Sequence, residues 1–224
     1  MKRKQQVNNE VSDNEDINKQ FHPAFCDAMT QIFERDTVKY IYEREYNLNS
    51  MPNRIDFLVI RLDEDESVNE NSLICDDDKK RSVNGIAKIC RRYNIFEYKS
   101  PGQQLSVDEY YVAMSYAYLY AGKTKHATME DITVSFVREG KPHKLISYFK
   151  KNGYQVTGYE NGIYHIIKSG HVDMQIIVTR ELDDKYIWLK VLSDKLTLDD
   201  AVKLAIDAVI HQITCYNLLK NQTN

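Results

Sequence analysis

Asp56 lies inside an apolar run, RIDFLVI (54–60), and Glu97 and Lys99 stand at the end of another, NIFEYKSPG (94–102). Charges on apolar strands are costly unless something uses them. On a strand, residues i and i+2 share a face, so Glu97 and Lys99 point one way and Tyr98 the other. If the two runs are neighbouring strands, Asp56 joins that face. Two converging carboxylates repel unless a cation sits between them, and all-oxygen ligation suits Mg²⁺ or Mn²⁺. Such an ion polarises a phosphoryl oxygen and acidifies bound water. A lysine two residues on would orient or deprotonate that water, or steady negative charge on phosphorus. The chemistry these residues suit is metal-assisted phosphodiester hydrolysis. The alternative for Glu97 and Lys99 is a cross-strand ion pair on a solvated face, worth less than about 1 kcal/mol.

The elements that must position these residues are legible in outline. HPAFCDAMTQIFERD carries Pro23 at its start and Phe25, Met29, Ile32 and Phe33 on one face, a helical pattern. VKYIYEREYNL (38–48) and RIDFLVIRL (54–62) read as strands around a turn containing Pro52. Residues 63–82 are acidic and polar and read as a solvated loop; GIAKICRRYN (85–94) reads as a short helix or a strand lead-in. Pro101-Gly102 ends the Glu97 strand. Ser106 with Glu109 forms a capping box that predicts a helix running to about Gly122. DITVSFVRE predicts a strand, and KPHKLISYFKKNGY a short helix between Pro142 and Gly153. GIYHIIK, MQIIVTREL and KYIWLKVL read as strand material, with Trp188 a candidate anchor for their packing. A long C-terminal helix follows, with Thr197 as its N-cap. The expected fold is mixed α/β (α+β) on one sheet: residues 1–20 a flexible tail, 21–138 a core, and 139–224 a strand and helix extension on the same sheet.

Composition narrows the function classes. The 224 residues carry 30 basic and 33 acidic side chains, a formal net charge of −3, so any nucleic-acid surface must be a local patch. Cys26, Cys75, Cys90 and Cys215 form no CxxC pair, which argues against zinc and a disulfide framework. No signal-peptide pattern or long apolar span is visible, so the expectation is a reduced, cytoplasmic protein without a membrane segment. GxSxG, GxGxxG and GxxxxGK[ST] are all absent, and no motif supports nucleophilic catalysis or nucleotide binding.

The order helix, three strands, helix, strand, with Asp in the second strand and Glu-x-Lys ending the third, resembles the PD-(D/E)xK nuclease superfamily and its restriction-endonuclease-like core. EYNLNSMPNRIDFLVI, NIFEYKSPGQQLSVDEYYVAMSYAYLYAG, ITVSFVREGKPHKL and QIIVTRELDDKYIWLKVL look most similar to a bacterial group near the recombination-promoting nuclease and putative-transposase branch. The resemblance implies catalysis by Asp56, Glu97 and Lys99. It implies Mg²⁺ or Mn²⁺ held by Asp56, Glu97 and the Tyr98 carbonyl, and a DNA substrate (RNA the alternative) linked to recombination or mobile elements. Many members carry an acid on the first helix, for which Glu34 is the candidate, with Asp27 behind it. Related branches place Gln and Tyr on the helix after Glu-x-Lys. Here that helix has Ser115, Tyr116 and Tyr120 but no Gln, and Gln103 and Gln104 precede it. Tyr116 and Tyr120 are accessory candidates. The alternative function is an inactive nuclease-fold interaction or oligomerisation module, with the C-terminal helix as a candidate homodimer face.

Overall fold

The computed structural model describes residues 21–48, 54–62, 84–193 and 196–222, with side chains described up to residue 212. The flexible tail, the turn around Pro52, and the acidic loop with its Lys79-Lys80-Arg81 cluster and Cys75 lie outside the described residues.

One seven-stranded mixed sheet organises the chain, in the order β1-β2-β3-β4-β7-β6-β5. These strands are β1 Tyr40–Asn47, β2 Arg54–Arg61, β3 Tyr93–Lys99, β4 Ile132–Arg138, β5 Gln155–Glu160, β6 Ile163–Ile167 and β7 Asp173–Val178. β2 runs antiparallel to β1 and β3; β3, β4 and β7 are mutually parallel; β5, β6 and β7 form an antiparallel set. β3 and β4 are buried almost end to end, as central strands covered on both faces must be.

The two faces follow from strand alternation. Phe57, Val59, Phe96 and Tyr98 point to one side, where they meet Phe25, Met29 and Phe33 of helix α1 (21–34) and Ile86 of a 3₁₀ turn, Gly85–Ile89. Ile95, Val134, Phe136 and Ile176 point to the other, under helices α2 (Val107–Lys123) and α3 (His143–Lys151). α2 starts at the capping box: Ser106 N donates to Glu109 Oε2 at 2.7 Å, and Asp108 N donates to Ser106 Oγ at 3.1 Å.

KYIWLKVL departs from the strand reading. Asp184–Tyr186 is a 3₁₀ turn and Ile187–Lys190 a short helix, α4. α5 (Leu198–Gln222) follows, capped by Thr197 Oγ1, which accepts from Asp200 N at 3.1 Å. α5 is tied down by Asp207, which accepts from Trp188 Nε1 at 2.7 Å and pairs with Arg35 at 2.7 Å. No described helix is long and apolar enough to cross a membrane.

Candidate active site

The register of β2 and β3 brings the acids together. Phe57 pairs with Phe96 and Leu58 with Ile95, so the next step of the ladder sets Asp56 opposite Glu97. On the other side, Arg44 pairs with Phe57 and Tyr46 with Ile55, which sets Glu45 of β1 opposite Asp56. Glu45, Asp56 and Glu97 therefore form a row across three adjacent strands. Glu45 holds the row at a cost: its φ is +49°, left-handed backbone that a non-glycine residue adopts only under constraint. Arg54 Nη1 grips its carboxylate at 2.6 Å.

A cleft of about 530 Å³ opens over this row. Asp56, Glu97, Tyr98 and Lys99 line it together with Gln103 and Tyr116. The two oxygens of Asp56 are held differently. Oδ2 accepts the Tyr98 backbone N–H at 2.8 Å, and Oδ1 lies 3.0 Å from His22 Nε2. His22 Nδ1 is 3.5 Å from Glu45. The hydrogen bond to Asp56, with help from Cys26, pushes the His22 imidazole up to about 10, so it carries positive charge at neutral pH.

Glu97 is the most isolated of the acids. It is 6% exposed, and its Oε1 has no hydrogen-bond partner. Burial, then the neighbouring Asp56 carboxylate, push its carboxyl well above the usual range, although Lys99 works against the shift. Burial and the same two carboxylates raise the Tyr116 phenol. Ionising Glu97 at this depth calls for a compensating positive charge, which a cation beside the unpartnered oxygen would supply. In a strand the N–H and C=O of one residue face the same neighbour, so the Tyr98 carbonyl lies toward the Asp56 side. Among the described residues no three His, Cys, Asp or Glu side chains are arranged to enclose a metal ion. Two carboxylates suffice for Mg²⁺, which commonly keeps several waters and takes substrate phosphate oxygens.

Of the accessory candidates, Tyr116 lines the cleft and the others sit elsewhere. Glu34 is at the end of α1, where it accepts the Tyr42 hydroxyl at 2.8 Å. Asp27 pairs with Arg44 at 2.7 Å. Tyr120 is buried between the rings of Tyr46 and Tyr93. Sequence reasoning did not place His22, Glu45 or Arg54 in the site, and noted Gln103 only as preceding the helix. Gln103 turns its Oε1 to the Ser100 N–H at 3.0 Å. It enters the cleft from the turn before α2 rather than from the helix itself.

Comparison with protein-family models, with curated proteins and with solved structures returned no match.

Proposed function

We propose that this chain is a metal-dependent nuclease that hydrolyses DNA phosphodiester bonds, in the manner of the PD-(D/E)xK enzymes its motifs resemble, in a recombination or mobile-element setting. The observation that carries the reading is the buried Glu97 carboxylate, with an unpartnered oxygen opposite Asp56 in an open cleft that also contains Lys99. Asp56, Glu97 and the Tyr98 carbonyl would hold Mg²⁺ or Mn²⁺, which when bound supplies Lewis-acid polarisation and a more acidic water. Tyr98 N–H fixes the Asp56 carboxylate in rotation. Lys99 reaches the same space, where its ammonium orients the attacking water and offsets charge gathering on the phosphoryl oxygens. Tyr116 and Gln103 also line the cleft and would offer polar atoms to the scissile strand.

The test is cleavage of plasmid and oligonucleotide DNA by the full chain with Mg²⁺ or Mn²⁺, with RNA as a parallel substrate. Asp56→Ala and Lys99→Ala are expected to lose metal-dependent cleavage while keeping wild-type circular dichroism. Undiminished cleavage in both purified variants would falsify the assignment.

One observation favours the second reading, an association module. Leu198, Val202, Ile206, Val209 and Ile210 of α5 are all exposed, an apolar stripe of the kind that marks an interface. That reading predicts no cleavage of any nucleic acid together with a concentration-dependent mass in light scattering.

A further inference from the structure

α2 separates two cavities. Tyr116 faces the catalytic cleft, whereas Tyr110, Tyr111, Met114 and Tyr118 line a second cleft of about 260 Å³. Across it stand Tyr154 and His171. Helical rotation of about 100° per residue accounts for the split, since Tyr116 and Tyr118 differ by two positions and fall on opposite flanks.

The second cleft is aromatic and soft. No Asp or Glu lines it, and Met114, Met129 and Met174 supply adaptable thioethers. Its floor is fixed, with the Tyr110 and Tyr154 hydroxyls paired at 3.2 Å. Its outer rings are oriented but uncovered: Tyr111 is 56% and Tyr118 63% exposed, and the Tyr111 hydroxyl pairs with Tyr148 at 2.7 Å. Basic side chains stand at one side of it. Lys168 Nζ stands 5.0 Å from the Tyr154 ring and donates to Asn152 O at 3.0 Å, next to Lys150 and Lys151 at the end of α3. A cationic ligand would suit an aromatic cage but not a lysine rim without a carboxylate. Flat rings joined by phosphates suit both. The exposed ridge of α2 between the clefts, including Val112 and Ser115, carries no charge from Tyr111 to Tyr118.

We propose that this tyrosine cleft stacks the bases of single-stranded nucleic acid and holds an unpaired stretch of substrate beside the catalytic cleft. The substrate class rests on the nuclease reading, while the stacking site is read from its own side chains. Duplex bases are already stacked on one another and present no free face, so the site discriminates single from double strands.

The experiment measures anisotropy of labelled oligothymidylate and oligouridylate, about 16 nucleotides long, and of a duplex of equal length. It is done in EDTA so that nothing is cut. The wild-type chain should bind the single strands more tightly than the duplex. Tyr111→Ala and Tyr118→Ala should each weaken single-strand binding roughly fivefold or more, while Tyr111→Phe and Tyr118→Phe keep it. Photocrosslinking of iodouracil-containing oligonucleotide to the wild-type chain should map to residues 107–123, a readout that does not depend on any variant folding. Single strands that fail to bind, alanine variants that bind like wild type, phenylalanine variants as weak as alanine ones, or crosslinks only elsewhere would each overturn the stacking site. Cleavage in Mg²⁺ is scored separately. Lys99-dependent cutting with tyrosine-independent binding removes the stacking site and leaves the nuclease, and the converse pattern removes the nuclease alone.

Discussion

Tyr98 donates its backbone N–H to Asp56 Oδ2 across 2.8 Å, so the carboxylate of one strand takes the place of a ladder carbonyl on its neighbour. The bond aims Asp56 and secures the open end of the β2–β3 pairing at once. Asp56→Asn keeps an oxygen acceptor for that N–H and loses the charge, whereas Asp56→Ala loses both. Both variants lose the charged pairing with His22, and chemical denaturation should find the alanine variant less stable than the asparagine variant by about 1–2 kcal/mol. Isothermal titration should find Mn²⁺ binding lost in both. Equal stability of the two variants would show that the bond does not support the fold.

Glu97 carries a cost that a bound cation would offset. A buried carboxylate oxygen without a donor destabilises the metal-free protein by about 1–3 kcal/mol, and more if charged. Glu97→Gln, which has no ionisable charge to bury, should therefore melt higher than wild type without metal. Wild type should gain stability as Mn²⁺ is added, because binding to the folded state alone pulls the equilibrium, and Glu97→Gln should not. Thermal unfolding at several Mn²⁺ concentrations reads both effects, and stripping the metal with EDTA should return wild type to its lower midpoint.

Asp207 gives a pH signature far from the cleft. Burial alone would raise its carboxyl, but hydrogen bonds from Arg35 and Trp188 outweigh burial and hold it below the usual range. With the folded pKa below the unfolded one, the stabilisation is present above the unfolded value, near 3.9, and disappears as pH falls through the folded value. Its size is about 1 kcal/mol, since both partners are partly solvated. Urea melts from pH 7 downward should show wild type more stable than Asp207→Asn at neutral pH, with the gap closing below about pH 4. A gap that stays constant with pH would mean that the carboxylate charge contributes nothing.

The strands around Asp56 and Glu97 were legible because β-branched and aromatic runs ended in turn residues, and α2 was legible because Ser106 and Glu109 announce its first turn. KYIWLKVL misled because Ile187 and Leu189 are both buried, and alternate burial imitates a strand when the helix is only four residues long. β5 passed unnoticed because it is an edge strand, largely exposed and interrupted by Gly158, without the alternation that marks a half-buried strand. Asp56, Glu97 and Lys99 share one cleft, as the face-sharing of i and i+2 on two neighbouring strands requires, and Tyr116 joins it from α2. His22 and Glu45 gave no signal. Glu45 enters through the β1–β2 register, and His22 through the docking angle of α1, and neither is written in local spacing. Glu34 was chosen from the same helix, but the end of α1 that reaches Asp56 is the one carrying His22.

Two glycines separate backbone conformation from steric contact. Gly102, in the turn after Lys99, has φ +84° with nothing within 4 Å of where a Cβ would stand. Gly162, in the β5–β6 turn, has φ +76°, but there a Cβ would lie 2.7 Å from Val178 O and 2.9 Å from Leu182 N. Neither neighbour can swing aside, because both are backbone atoms, one at the end of β7 and the other just after the 3₁₀ turn Thr179–Glu181, and Val178 N already donates to Gly162 O at 2.7 Å. Alanine at Gly102 meets only the left-handed penalty, about 1–2 kcal/mol. Alanine at Gly162 meets that penalty and must also push the turn off β7, for a total of at least about 3 kcal/mol. Equilibrium denaturation of the two variants should show Gly162→Ala clearly the weaker protein. Equal losses would mean that the turn shifts freely against β7, and that the close approach of Gly162 does not hold the β5–β6 hairpin to the rest of the sheet.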